Sequence, residues 1–175
     1  YMMLVPSAAC IQSENLPENT GKVRDQTQDL AQIQSVLQQN LEWVDLISLF
    51  NDHKGEKLFY ATAPYLTGWG SRYAAKAAVG AMGAEFPKSR ETCYLLSDTY
   101  QGNLASDRTL MQKYGEHPGE RLEIYVPEDE PAYYRIDEAS GVWYGTLYDS
   151  SSLDSEDPFN VFFGGDRPLT EIYSA

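Results

Sequence analysis

Along the first half of the chain, apolar residues recur at helical spacing. From Val23 onward, Leu30, Ile33, Leu37, Val44 and Ile47 fall three, four or seven residues apart, with Leu41 beside the same stripe. Gln, Asp and Asn fill much of the opposite face. This period predicts an amphipathic helix running to about Phe50 and stopped within residues 51–55. Its second half, LEWVDLISLF, is apolar on more than one face, so neighbours should cover it on most sides. The next stretch, EKLFYATAPYL, suits a short helix broken before Pro64, because the residue preceding proline is pushed out of helical geometry. TGWGS reads as a turn, with Ser71 placed to cap a helix over RYAAKAAVGAMGAEF that Pro87 ends. That helix is built mostly of Ala and Gly. Each glycine costs roughly 1 kcal/mol of helix propensity relative to alanine, and close approach of another backbone is the expected compensation. Residues 88–114 predict one long helix or two short ones, broken near 102–103, with Cys93, Leu95, Leu96, Tyr100, Leu104, Leu110, Met111 and Tyr114 as the apolar positions.

The last third follows a different period. RLEIYV alternates as a strand closed by Pro127, and AYYRID and GVWYGTLY are aromatic, β-prone runs joined by the turn-forming EASG. NVFFGG suggests a short fourth strand, and SSSLDSEDP an acidic surface loop. Residues 1–22, punctuated by Pro6, Pro17 and Gly21, read as an irregular strap. The expected architecture is α+β. A mainly helical bundle over residues 23–115 carries a small C-terminal antiparallel β hairpin or sheet over 120–175, preceded by the N-terminal strap.

Composition adds limits. At 175 residues, 42% hydrophobic and 13% aromatic, the chain is rich enough to fill a core, which excludes disorder throughout. No run approaches the ~18 apolar residues of a membrane-spanning helix. Charge is unevenly placed: residues 1–90 hold 8 Lys/Arg against 9 Asp/Glu, and residues 91–175 hold 5 against 17. Such an acidic half argues against nucleic acid, which needs clustered Lys and Arg, and favours a basic protein partner. The opening YMMLV is too short for a complete signal core and lacks a basic flank, so it reads as a retained apolar strap. Cys10 anchors it, by packing or by a bridge to Cys93. An exported compartment or organellar lumen is favoured over the cytosol.

Candidate chemistry is sparse. Cys93 with His117 would make a thiol–imidazole pair, but ETCYLL reads as helix interior, whereas a reactive thiol needs an electropositive, partly exposed setting. Cys10, Cys93, His53 and His117 give the ligand count of a zinc site without its short spacings. DSSSLDSED gathers Asp149, Asp154, Glu156 and Asp157, but Asp154 stands where an EF-hand needs glycine, leaving at most a weak calcium site. TGWGSR before a helix invites an anion, yet it matches neither a Walker loop nor the dinucleotide fingerprint. Neither cofactor nor metal is expected. Asp137 and Glu138 sit among aromatic residues as a glycosidase pair would, but adjacent strand residues face opposite ways.

What remains is a surface. Tyr133, Tyr134, Trp143, Tyr144 and Tyr148, with Glu128, Asp129 and Glu130, form the candidate interaction surface. The expected role is a non-enzymatic accessory or structural subunit that binds partner proteins. In outline, the helical body resembles small extrinsic subunits of photosynthetic membrane complexes. Two alternatives are an acidic inhibitor of the immunity type, binding one basic partner, and a small carbohydrate-binding or carbohydrate-active protein centred on Trp143.

Overall fold

A computed structural model describes residues 1–16, 18, 24–128, 133–137, 141–166 and 169–174. The chain divides into two compact units, Tyr1–Lys88 and Ser89–Ala175.

In the first unit, β1 (Met2–Met3) leads into the short helix α1 (Ala8–Ile11). After a 3-10 turn at Ser13–Asn15 come α2 (Gln26–Leu37), β2 (Trp43–Val44), α3 (Leu46–Asp52) and α4 (Gly68–Ala81). The apolar opening therefore has a place. Met2–Met3 pairs in parallel with Trp43–Val44, and the Met2 N–H donates to the Glu42 carbonyl at 2.8 Å. Pro6 and Ile11 are buried, Ile11 in the same core cluster as Val44.

The single helix expected from 23 to 50 is instead two helices flanking a strand. Asp25 starts α2 by accepting from the Thr27 N–H at 3.0 Å. Asp45 starts α3, accepting from the Ser48 N–H at 3.1 Å and its hydroxyl at 2.6 Å. A capping aspartate takes its own backbone out of helical geometry, so Asp45 breaks a run that its apolar neighbours would have continued. The stretch 56–66 is a bend rather than a helix. Phe59 and Leu66 form an antiparallel bridge, and the Thr67 N–H donates to the Leu58 carbonyl at 2.9 Å. These elements close on a core of Ile11, Val44, Leu46, Phe50, Leu58 and Ala74, with Phe59 edge-on to Phe50 at 5.7 Å.

α4 begins four residues earlier than Ser71 predicts. Thr67 is its cap: the hydroxyl accepts from the Gly70 N–H at 3.2 Å and donates to the Lys57 carbonyl at 2.5 Å. Close backbone approach occurs at Gly70. A Cβ on Gly70 would lie 2.2 Å from the Leu58 carbonyl oxygen, whereas one on Gly80 would meet nothing within 4 Å.

The second unit is where the helical bundle fails as a description. Residues 91–100 form not a helix but a long strand, β3 (Glu91–Tyr100), followed by one helix, α5 (Arg108–Tyr114). β4 (Glu120–Pro127) pairs antiparallel with β3, placing Cys93 opposite Tyr125 and Tyr94 opposite Ile124. Two register shifts, between Leu95 and Ser97 and between Ser97 and Tyr100, bend the ladder. ETCYLLSDTY carries apolar residues that fit either period, and the partner strand some 25 residues later decides between them. The aromatic hairpin forms as its alternation predicts: β5 (Tyr133–Asp137) pairs with β6 (Val142–Tyr144). β7 (Thr170–Ser174) adds to the other edge of β5, giving the order β6-β5-β7. NVFFGG is not a strand. A 3-10 turn at Pro158–Val161 carries Phe159 towards Tyr100, ring centroids 6.4 Å apart, and Phe162 bridges to Tyr148. Among the described residues, Tyr100, Leu122, Ile124 and Val161 are the buried apolar residues of this unit.

Among the described residues, no helix is long and apolar enough to cross a membrane.

Candidate functional site

α3 ends at His53, whose carbonyl accepts from the Glu56 N–H at 2.9 Å and turns the chain back on itself. The same turn brings the two side chains together: His53 Nδ1 lies 2.7 Å from Glu56 Oε1. From α4, Tyr73 reaches both. Its hydroxyl lies 3.1 Å from Glu56 Oε1 and 3.0 Å from Oε2, and its ring stacks on the imidazole with centroids 4.0 Å apart.

Protonation follows from these contacts. Hydrogen bonds from His53 first, then from Tyr73, hold the Glu56 carboxyl below its ordinary range. Partial burial first, then the bond to Glu56, pushes the Tyr73 phenol up. An ionised carboxylate only accepts, so both Nδ1–H and the phenol must donate to it. The neutral imidazole is thereby held with Nε2 unprotonated. The ring is about a third exposed, and among the described residues no protein group bonds Nε2. An imidazole oriented by a carboxylate, with its far nitrogen open, is equipped to take a proton from an approaching hydroxyl. The other histidine is arranged in the opposite sense, since His117 Nδ1 accepts from the Gly119 N–H at 3.2 Å.

A cavity of about 270 Å³ also opens in this unit. Pro6, Phe59, Ala63, Pro64 and Leu66 line it, and its polar edge is the Ser7–Gln26 pair, whose hydroxyl–amide distance is 3.0 Å. Among the described residues, no charged side chain lines it.

The residues singled out from the sequence are scattered by comparison. Both cysteines are free thiols, and Cys93 is an exposed strand residue rather than helix interior. Partial burial first, then the nearby Asp25, pushes the Cys10 thiol up. Among the described residues, no three His, Cys, Asp or Glu side chains gather as a metal site would require. The acids of DSSSLDSED are used locally: Asp149 caps Ser150–Asp154 by accepting from the Ser151 N–H at 3.1 Å, and Asp157 accepts from the Phe159 N–H at 3.1 Å. Arg72 stands 5.2 Å over the Phe86 ring, on the helix that TGWGSR opens. Asp137 ends β5, and Glu138 lies outside the described residues.

Of the aromatic–acidic surface, Tyr133 and Tyr134 stand opposite Ser174 and Tyr173 in the β5–β7 ladder. Trp143, opposite Ile136, is exposed and stacks with Tyr173 at 6.2 Å. Tyr144 is half-buried opposite Arg135, and Tyr148 packs edge-on against Phe162, away from that sheet's pairing. Glu128 is exposed, its N–H donating to the Arg90 carbonyl at 2.8 Å, while Asp129 and Glu130 lie outside the described residues. Sequence reasoning missed Glu56 and Tyr73. The H-x-x-E spacing of His53 and Glu56 was the available signal; Tyr73 joins them only through the fold.

No protein-family model matches the chain, and no curated protein does. Solved structures do match. The chain is similar to Bacillus cereus PatB1, solved with a sulfonyl adduct, at a TM-score of 0.71 and 15% identity over 98% of this chain and 59% of that one. It is also similar to the O-acetyltransferase domain of Pseudomonas putida AlgJ, at a TM-score of 0.55 and 20% identity over 73% of this chain and 49% of that one. The chain thus spans between half and three-fifths of the length of these neighbours. At such identities the likeness is one of fold. It nevertheless corrects the expectation of a non-enzymatic accessory subunit, along with the extrinsic-subunit analogy, the inhibitor and the Trp143-centred sugar module. The shared fold is one that houses an acetyltransferase.

Proposed function

We propose that this chain belongs to an acyltransferase-type enzyme that moves an acyl group onto a hydroxyl, with His53 as general base and Glu56 as its orienting carboxylate. The observation that supports this reading is the 2.7 Å His53–Glu56 contact in a fold shared with an O-acetyltransferase domain. Nε2 accepts the proton of an incoming hydroxyl as its oxygen attacks the acyl carbonyl, forming the new C–O bond. The proton returns from Nε2 to the departing group as the old acyl bond breaks. Glu56 keeps its charge throughout and stabilises the imidazolium that forms between the two steps.

Release of p-nitrophenolate from p-nitrophenyl acetate tests the proposal. His53→Gln is expected to lower turnover by about 10²–10⁴-fold, the usual contribution of a positioned base. A wild-type protein no faster than buffer, or a variant as fast as wild type, overturns it.

A further inference from the structure

We infer that Tyr73 is a positioning residue that fixes both the tautomer and the ring plane of His53. For its catalytic consequence this rests on the reading of His53 as base; as a statement about the imidazole it stands on geometry alone.

The turn carrying His53 and Glu56 cannot hold them by itself. Glu56 is exposed, and a glutamate in solvent keeps most of its rotamer freedom, which must be lost to hold one geometry. The hydrogen bond to His53 is one contact spanning three residues of a surface turn, the kind that contributes little unless something else restrains it. Tyr73 is fixed from behind. Its helix starts at the Thr67 cap, lies against the Leu58 carbonyl at Gly70, and buries Ala74, the residue next to Tyr73. The backbone that presents the phenol is therefore part of the core.

From that fixed base one side chain makes two different contacts. Its hydroxyl donates to the Glu56 carboxylate, holding Oε1 where Nδ1–H can reach it. Its ring lies within 27° of parallel to the imidazole at 4.0 Å, which restricts rotation of His53 about its outer torsion. The first selects the Nδ1–H tautomer, and the second aims Nε2. Of the neighbouring groups, Lys54 pairs with Glu14 at 3.0 Å, and the Trp69 ring lies 6.4 Å from the Tyr73 ring.

Nitrogen-15 NMR of the histidine rings, recorded where both imidazoles are neutral, reads this directly. In the wild-type protein His53 is expected as the Nδ1–H form. His117 should be the Nε2–H form, because its Nδ1 accepts from Gly119, which provides an internal control. Tyr73→Phe keeps the stacked ring and loses only the hydroxyl. It should cut the Nδ1–H share of His53 by about half or more and leave His117 unmoved, the population shift that a lost restraint of about one hydrogen bond produces. In the same variant kcat should fall about tenfold at unchanged KM, within the range that small misplacement of a catalytic group costs. A His53 tautomer identical in wild type and Tyr73→Phe overturns the inference, whatever the turnover. If the tautomer shifts while neither protein transfers an acyl group, the positioning role holds and the proposed reaction falls.

Discussion

α4 and β3 are held by contacts of different reach. α4 begins at its own cap, Thr67, and each later backbone bond closes within a few residues. Among its longer-range contacts, Gly70 meets the Leu58 carbonyl. β3 satisfies its backbone through β4, with Glu91 opposite Pro127 and Tyr100 opposite Glu120. The intervening chain has to be ordered before any of those bonds form, an entropic cost that local helical bonds avoid. A change far from β3 in sequence should therefore remove it, whereas α4 should respond only where it touches something.

The largest expected effect breaks β3 from its turn. Gly119, just before β4, has a φ of +96°, and a Cβ there would lie 2.7 Å from Thr99 Cα. Gly119→Ala combines backbone strain of about 1–2 kcal/mol with a forced contact against main chain of about 1–3 kcal/mol. Hydrogen exchange on the variant should show protection lost across Glu91–Tyr100 and Glu120–Pro127 while the amides of α4 keep theirs. Equal loss in α4, or none in β3, contradicts the contrast drawn between the two.

The same contrast explains what the sequence disclosed. The hairpin of β5 and β6 was legible because its alternation and its turn are adjacent. α4 was legible because alanine-rich sequence and a capping hydroxyl lie within one stretch, although the cap is Thr67 and not Ser71. Asp25 and Asp45 were readable caps as well, yet the apolar stripe running through Val44 and Ile47 outweighed Asp45 and merged two helices into one. β3 was not legible, since Cys93, Leu95, Leu96 and Tyr100 satisfy a helical spacing and nothing nearby announces β4. The candidate site divides likewise. His53 and Glu56 are three residues apart and visible, but Tyr73 stands 17 residues further on and reaches them only once α4 is in place.

The next effect tests a point where α4 depends on a distant contact. In Gly70→Ala the new Cβ would sit 2.2 Å from the Leu58 carbonyl oxygen, a main-chain atom that cannot swing aside. Helical geometry at this position suits alanine, so the cost is overpacking, about 1–3 kcal/mol. Urea denaturation should register it as a lower midpoint at unchanged slope. Because Tyr73 follows Gly70 by less than one turn, the same shift should loosen the His53–Glu56 contact. An unchanged midpoint would mean that α4 is not seated on Leu58.

The smallest effect has the opposite sign in the same helix. Gly80 is exposed, and a Cβ there would meet nothing within 4 Å. Gly80→Ala should stabilise by at most roughly 0.5–1 kcal/mol, the propensity difference alone, reduced because Gly80 is the penultimate residue of α4. The two positions are ten residues apart, about 15 Å along the axis, and share no neighbour. The double variant should therefore melt at the sum of the two shifts, within about 0.3–0.5 kcal/mol. Additivity with opposite signs would show that a helix rich in Ala and Gly need not be close-packed along its length. Here one glycine is required by contact, and the other is replaceable because nothing approaches it.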